Sequence, residues 1–278
     1  MVSWTTRTLT QLLQAGAVVA LLATAVCAKP VVPASTASTA STVPGYRLKV
    51  IRVYPHDPGA FTQGLLFLDG KLYESTGLYG RSSIRRVDLT SGQVEGRVRL
   101  PDEFFAEGLA RVGDRLIQLT WKEGKALVWD LSTLRKLSEF SYEGEGWGLC
   151  YDGRRLVMSD GSDRLTFRNP TTFAKEGEML VRRAGSPVRN LNELECSVGT
   201  IYANVWQDSH IARIDPGSGV VTAWISGAGL LDASEAAGVD VLNGIAEMNT
   251  TGHLLVTGKL WPHVYEVEVV ADTKGGVR

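Results

Sequence analysis

Histidine and cysteine are scarce in this sequence, which narrows the chemistry that it can support. It has 4 His and 3 Cys among 278 residues, with neither an HExxH pair nor a Cys/His spacing typical of zinc ligands. It also lacks a GxSxG nucleophile elbow and a P-loop. A catalytic zinc site is therefore disfavoured, and any chemistry must come from carboxylate, amide, lysine and indole groups.

An excess of charge of either sign is also missing. The formal net charge is −1, so no basic field dominates that would attract a phosphate backbone. We therefore expect no nucleic-acid partner.

The N-terminal region contains an apolar run, but a short one. The marked apolar run, at positions 15–26, is shorter than the roughly 20 residues that a membrane span needs. It follows Arg7 and precedes "CAKP", an arrangement typical of a signal peptide. We predict a signal peptide over 1–28, cleaved after Ala28, and hence a periplasmic or secreted protein. A lipid anchor on Cys27 is the alternative, although the preceding residue fits that signal poorly. The Ser/Thr-rich stretch 29–44 is predicted to be a disordered linker.

Glycine and tryptophan, in contrast, are plentiful, and the sequence repeats itself. The 30 Gly and 7 Trp favour many turns and an all-β fold. Segments of about 45 residues align with one another, each with short strands, and four of them contain an Asp or Asn turn at Asp88, Asp130, Asn169 or Asp215. We interpret these side chains as turn caps. The five segments begin at Phe61, Phe105, Glu145, Leu191 and Leu242.

A period of this length with about four short strands indicates propeller blades. We predict a single five-bladed β-propeller over 45–270, followed by a tail over 271–278. The predicted strand at 46–55 belongs to none of the five segments. It would be the outer strand of the fifth blade and would close the ring, which removes exposed edges. We expect a monomer, because a closed ring has no need of a partner.

When the five repeats are aligned, one position, or column, holds a different kind of side chain in nearly every repeat, while the residues after it stay nearly fixed. We expect its members to surround one mouth of the central channel, where propellers bind ligands, with Phe61 and Asn192 close by. The variation indicates that the mouth recognises something asymmetric. One alternative is that the polar members of the column only satisfy one another's hydrogen-bonding groups. Another is that Asn192, Glu107, Glu193 and Asn243 form an oxygen cage for Ca²⁺. The column reads Gln63, Glu107, Trp147, Glu193 and Asn243.

A second set of residues follows the second strand of several repeats. Trp121, Trp206, Lys259 and Trp261 occupy these positions, and we expect them at the same mouth as the walls of a pocket. The alternative is that the tryptophans pack between blades and that the lysine is a solvated loop residue.

Cys150 and Cys196 remain after the leader is removed. Export would permit a disulfide between them. They occupy the same position of neighbouring repeats, where the strand spacing looks too wide for the roughly 5.5–6 Å Cα separation that a disulfide prefers. We therefore expect two buried free thiols.

Ten short motifs carry a resemblance to a known family. In chain order between 61 and 262 they read "FTQGL", "YESTGLYG", "FAEGL", "QLTWKE", "EGWGL", "SDGS", "LNELE", "ANVW", "LNGIA" and "TGKLWP". Together they resemble the plant-type glutaminyl cyclases (glutaminyl-peptide cyclotransferases), which also occur in bacteria. The resemblance implies a propeller that converts the N-terminal glutamine of peptides or proteins to pyroglutamate and releases ammonia. It implies no cofactor for catalysis and leaves room for a structural divalent ion, Ca²⁺ or Zn²⁺, in the channel.

The resemblance also implies a central acid/base, Glu107. Since a carboxylate can serve both nitrogens of the reaction, we expect it to act as a proton shuttle. We expect Lys259, Gln63 and Asn192 to bind the amide oxygen and the developing oxyanion. The predicted substrate-binding residues are Phe61, Trp121, Trp147, Trp206, Asn243 and Glu193. Two other classes stay open: a metal-dependent propeller hydrolase such as a lactonase, and a non-catalytic propeller that binds peptides.

Overall fold

The computed structural model describes residues 43–197, 199–232, 234–248 and 251–272. These residues form 22 β-strands joined by turns and bends. They contain no helix, and so no helix that could cross a membrane. The predicted signal peptide, all but the last two residues of the predicted linker, and residues 273–278 of the predicted tail lie outside the described residues.

The strands after β1 (Gly45–Pro55) fall into antiparallel groups of neighbouring strands. The first group holds β2 (Thr62–Leu68), β3 (Lys71–Thr76), β4 (Ser83–Asp88) and β5 (Val94–Arg99). The second holds β6 (Ala106–Val112), β7 (Arg115–Thr120), β8 (Lys125–Asp130) and β9 (Lys136–Ser141). The third holds β10 (Leu149–Tyr151), β11 (Leu156–Ser159), β12 (Arg164–Arg168) and β13 (Lys175–Leu180), followed by a hairpin of β14 (Arg182–Arg183) and β15 (Ser186–Pro187). The fourth holds β16 (Leu191–Ser197), β17 (Thr200–Val205), β18 (His210–Ile214) and β19 (Val221–Ser226). The fifth holds β20 (Leu242–Met248), β21 (His253–Gly258) and β22 (His263–Ala271).

The N-terminal strand completes the fifth group. β1 pairs antiparallel with β22, from Tyr46 opposite Ala271 to Pro55 opposite His263. It also pairs in parallel with β19, where Gly45 lies opposite Trp224, so the fourth and fifth groups share one eight-stranded sheet. The prediction that the strand at 46–55 serves as the outer strand of the last group is confirmed.

The first strands of the groups surround a common axis. Each of β2, β6, β10, β16 and β20 contacts the first strand of the group before it and of the group after it, and β20 contacts β2. Five apolar clusters lie between neighbouring groups, one at each interface. The cluster between the fifth and first groups, for example, joins Leu255 and Val264 to Leu65 and Leu72. The hydrophobic effect therefore holds the groups to one another around the ring.

The recurring Asp and Asn residues cap turns, as their position predicts. In each turn the side-chain oxygen accepts a hydrogen bond from the backbone N–H three residues later, at 2.8–3.0 Å. These bonds satisfy backbone groups that no strand pairs. They occur at Asp88, Asp130, Asn169 and Asp215.

The prediction of two free thiols is wrong. Cys150 on β10 and Cys196 on β16 form a disulfide with a Cα–Cα separation of 5.4 Å. Residues of neighbouring groups can lie this close because both belong to first strands, which converge around the axis. Sequence spacing alone does not reveal this convergence.

Candidate active site

A cavity of about 420 Å³ opens at the edge of the groups where the first strands begin and the second strands end. Phe61, for example, immediately precedes β2, and Trp121 immediately follows β7. Because neighbouring strands of each group are antiparallel, the start of a first strand and the end of a second strand meet at the same edge. The cavity is lined by Phe61, Gln63, Phe105, Glu107, Trp121, Trp147, Asn192, Trp206, Asp240 and Lys259.

Eight of the ten predicted site residues line this cavity. The two that do not are Glu193 and Asn243, which are both buried. The Asn243 amide donates to the backbone oxygen of Thr62 at 2.9 Å and to Gln63 Oε1 at 3.1 Å. It therefore contacts a lining residue from behind rather than facing the cavity itself.

The alignment of the fourth repeat needs a correction of one residue. The ladder of β6 has an irregularity that ends at Leu109, and the ladder of β16 has one that ends at Leu194. Counting back two positions from each gives Glu107 and Asn192, so Asn192 is the true column member. Glu193 instead occupies the position that is glycine in the other groups.

Glu193 lies in the ring of first strands, where its carboxylate joins three groups. Its two oxygens accept from the backbone N–H of Leu65 at 3.3 Å and of Ile245 at 2.9 Å. Both oxygens of Glu193 are thus held by backbone groups, whereas Oδ1 of Asn243 has no hydrogen-bond partner among the described residues. Among the residues that the structure describes, no group of three or more His, Cys, Asp or Glu side chains is placed to hold a metal ion.

A bulge directs Glu107 toward the cavity. Ala106 pairs with Thr120 and Leu109 with Gln118, so β6 is irregular at positions 107 and 108. Such bulges re-aim side chains and are common beside active sites. Gly108 donates its N–H to the backbone oxygen of Trp147 at 2.7 Å, and a Cβ there would collide with the backbone of the third group. Glycine at this position thus permits the close approach that brings the column members together.

The Glu107 carboxyl is nearly inaccessible to solvent, at 4% exposure. Its Oε1 accepts from Gln63 Nε2 at 3.0 Å, whereas Oε2 has no hydrogen-bond partner among the described residues. Burial raises the pKa of this carboxyl well above its ordinary value, although the positive charge of Lys259 acts in the opposite direction. An acid with a raised pKa and an unpartnered oxygen in a cavity is suited to proton transfer.

Lys259 supplies the buried cation of the cavity. Its Nζ lies 4.9 Å from the centre of the Phe61 ring, and the residue is 4% exposed. Burial lowers the pKa of the Lys259 ammonium, while the charges of Glu107 and Asp240 favour its protonation. Like Oε2 of Glu107, the side-chain oxygen Oδ1 of Asn192 is buried and has no hydrogen-bond partner among the described residues.

The aromatic walls are linked through one acidic side chain. Oε2 of Glu145 accepts from Trp121 Nε1 at 2.8 Å and from Trp147 Nε1 at 3.0 Å. Trp147 also makes an edge-to-face contact with Trp206, with ring centroids 5.7 Å apart. The indole N–H groups therefore have a fixed partner, and the rings are held in place around the cavity.

Sequence reasoning missed two lining residues, Phe105 and Asp240. Phe105 occupies the repeat position of Phe61, and this equivalence was the signal that could have found it. Its ring contacts Trp121 at a centroid distance of 5.6 Å. Asp240 has no counterpart in the repeat, because it lies in the long connector between β19 and β20, two residues before β20 begins. The backbone brings it in: its N–H donates to the oxygen of Lys259 at 2.9 Å.

The chain is similar to proteins of known activity over most of its length. The model of the glutamine cyclotransferase family matches residues 18–269. A glutaminyl-peptide cyclotransferase of Arabidopsis thaliana is 43% identical over 236 residues, which cover 82% of this chain and 73% of the plant protein. The crystal structure of Myxococcus xanthus glutaminyl cyclase is 42% identical, with a TM-score of 0.75, and the match covers 82% of this chain and 99% of that one. Because these matches span the ring of strands and the cavity at its mouth, the chain belongs to the glutamine cyclotransferase family.

Proposed function

We propose that Glu107 is the proton shuttle with which this glutaminyl-peptide cyclotransferase cyclises an N-terminal glutamine. The observation that carries the proposal is the buried carboxyl itself, with one oxygen held by Gln63 and the other unpartnered beside the cavity. The substrate is a peptide or protein whose first residue is glutamine, and the products are its pyroglutamyl form and ammonia.

The first demand of the reaction is a bent substrate. The α-amine must approach the γ-carbonyl carbon of the same residue to about 3–3.5 Å. A cavity of about 420 Å³ with aromatic walls can hold the glutamine side chain folded back on its own amine. The rest of the peptide leaves through the open mouth, so residues beyond the first contribute little to recognition.

The second demand is the transfer of one proton between two nitrogens. The neutral α-amine attacks the carbonyl carbon of the side-chain amide (Cδ), which forms the ring C–N bond and leaves a positive nitrogen and a negative oxygen. The Glu107 carboxylate accepts a proton from the ring nitrogen and donates it to the departing NH₂. The C–N bond to that group then breaks, ammonia leaves, and the carboxylate is regenerated.

The raised pKa of Glu107 supports this role. A free α-amine has a pKa of about 7.7–8.0, far above that of an ordinary glutamic acid. Burial moves the pKa of Glu107 toward that range, which makes each proton transfer less uphill. Proton transfer of this kind contributes typically about 10²–10⁴-fold to a rate.

The third demand is stabilisation of the negative oxygen. Lys259, Gln63 and Asn192 are the polar lining groups that can meet it, because each carries N–H donors. The ammonium of Lys259 is buried, so its attraction for an oxyanion is little screened by water. No step of the proposal uses a cofactor.

We also infer the finer architecture and location. The five groups of strands, joined in a closed ring, are the blades of a five-bladed β-propeller in which β1 completes the last blade. The Cys150–Cys196 disulfide supports export to an oxidising compartment, since such bonds are rare in the cytosol. We propose that residues 1–28 are a signal peptide and that the mature protein is a periplasmic or secreted monomer.

Ammonia release tests the function directly. The protein should release ammonia from a dipeptide that begins with glutamine and should release none from the matched dipeptide that begins with asparagine, whose shorter side chain would have to close a strained four-membered ring. Equal rates on the two dipeptides would contradict the cyclisation chemistry. Absence of ammonia with both would favour a peptide-binding role.

A further inference from the structure

A buried group of charged side chains lies where the first and fifth groups of strands meet. His56 follows β1, Glu74 lies on β3 and Arg85 lies on β4, and all three are buried. Asp57, on the rim of this group, binds Arg85 Nη1 through its Oδ2 at 2.7 Å. The proposed reaction uses none of them, yet buried charges are costly unless they have a role or complete partners.

The hydrogen bonds of His56 fix its charge. Its Nδ1 lies 2.7 Å from the backbone oxygen of Trp261, which can only accept a hydrogen bond. Its Nε2 lies 3.1 Å from Oε1 of Glu74, which as a carboxylate also only accepts. Both ring nitrogens must therefore carry a proton, and a ring with two N–H groups is an imidazolium cation.

The partners of Glu74 agree with this assignment. Its Oε1 also accepts from Thr62 Oγ1 at 2.7 Å, and its Oε2 binds the guanidinium of Arg85 through Nε and Nη2. Two cations thus face two carboxylates, counting Asp57, and the cluster is neutral overall. Burial lowers the pKa of His56, but the charge of Glu74 and the hydrogen bonds to Glu74 and to the Trp261 oxygen together outweigh it and hold the pKa above its ordinary value.

The Trp261 carbonyl connects this cluster to the active site. Three hydrogen bonds join the segment that follows Lys259 to the segment that precedes Phe61: Leu260 N–H to Ala60 O at 2.7 Å, His56 N–H to Pro262 O at 2.8 Å, and His56 Nδ1–H to Trp261 O. Only the last of these comes from a side chain. Leu260 has a left-handed backbone, with φ of 63°, which an L-residue adopts only when its surroundings hold it there.

We propose that His56, held as an imidazolium by Glu74, is a positioning residue for Lys259. It binds the turn after Lys259 to the first group of strands and thereby places the ammonium opposite Phe61 and beside Glu107. The inference rests on the proposed function, in which Lys259 stabilises the developing oxyanion. Lys259 cannot be aimed by its own strand alone, because it lies one residue beyond the end of β21.

Two amide variants separate the two hydrogen bonds of His56. In His56→Asn the amide nitrogen is as far along the side chain as Nδ1, so it can still donate to the Trp261 oxygen. In His56→Gln the nitrogen is one bond further out, like Nε2, so it can reach Glu74 but not that oxygen. The matched control Thr62→Val removes another donor to Glu74 and leaves the turn untouched.

The assay is kcat/KM on a glutamine-initiated dipeptide, with the melting temperature of each variant measured alongside. We expect His56→Gln to lose activity by on the order of ten- to a hundredfold, mainly in kcat, as a misplaced reactive group does. His56→Asn should retain more activity than His56→Gln, and Thr62→Val should keep wild-type activity even where its melting temperature falls. Any other ranking of the two amide variants, or losses that follow melting temperature alone, would overturn the proposal.

Two further measurements keep the test decisive. Nitrogen NMR of the wild-type protein should show both ring nitrogens of His56 protonated at pH 7.5, and a ring with one bare nitrogen would overturn the proposal even if a variant failed to fold. Lys259→Met is assayed in parallel. If that variant is fully active, the proposed function of Lys259 fails, whereas an inactive Lys259→Met beside a fully active His56→Gln refutes only the positioning role.

Discussion

Replacing Glu107 by glutamine separates the catalytic role of this residue from its cost to the fold. The substitution keeps the size of the side chain and an oxygen that can accept from Gln63, but it cannot carry a proton between two nitrogens. Loss of a proton shuttle should lower kcat by about 10²–10⁴-fold, which corresponds to a barrier higher by about 2.7–5.4 kcal/mol. Ammonia release from a glutamine-initiated dipeptide measures this loss.

The same substitution should stabilise the protein at neutral and alkaline pH. The pKa of Glu107 is raised in the folded state by burial, so the folded protein holds this proton at pH values where the unfolded chain has released it. Below the ordinary pKa of glutamic acid the two states bind the proton equally, and as pH rises toward the folded pKa the wild type loses stability that the glutamine variant keeps. Each unit of pKa difference corresponds to about 1.4 kcal/mol.

Thermal unfolding of both proteins from pH 4 to pH 9 measures this difference. The melting temperature of Glu107→Gln should exceed that of the wild type by a margin that grows with pH. Glu103→Gln is the matched control, because it removes an exposed carboxyl four residues earlier and should change neither rate nor stability. A near wild-type rate in Glu107→Gln would remove this residue from the mechanism, and a margin independent of pH would refute the burial argument.

Three other perturbations give separate outcomes. Cys150→Ser, which breaks the disulfide to Cys196, should lower the free energy of unfolding by about 2–4 kcal/mol, as loss of a cross-link over a loop of this length does; denaturant unfolding checks it, and an unchanged midpoint would contradict it. Glu145→Ala should lower kcat/KM roughly tenfold, because Trp121 and Trp147 lose a charged hydrogen-bond partner worth about 1.5–3 kcal/mol; unchanged kinetics would show that the indoles need no such support. Prolonged EDTA treatment should leave ammonia release intact, since the proposed steps use side chains alone, and a loss restored by added metal would favour a metal-dependent mechanism.

The repeat made much of the site predictable before any coordinates. Glu107 and Trp121 belong to one repeat, and a meander brings the start of its first strand and the end of its second strand to the same edge. The same logic applies to Phe105, which repeats Phe61 and could have been included. The register of the fourth repeat is harder to predict, because Glu193 stands where the other repeats have the glycine that marks the position. The ladder of β16 shows that Asn192 is the residue at the cavity.

Other features depend on distances that the repeat does not specify. Cys150 and Cys196 form a disulfide because first strands converge around the axis, and a period in sequence carries no information on that convergence. Asp240 comes from a connector without a counterpart in other repeats. It reaches the cavity only because its backbone pairs with that of Lys259.

The pairing of β1 with β22 also dictates when activity can appear during synthesis. The side chains of Tyr54 and Glu266, 212 positions apart in the chain, hydrogen-bond at 2.9 Å across this pair. Contacts of such long sequence separation form late in folding, because the intervening chain must first be ordered. Gln63 lies in the first group of strands and Lys259 in the fifth, so a nascent chain that has completed four groups still has no assembled active site. Catalytic competence should therefore arrive in one step, with the last strand, and a chain that lacks β1 or β22 should lose it altogether.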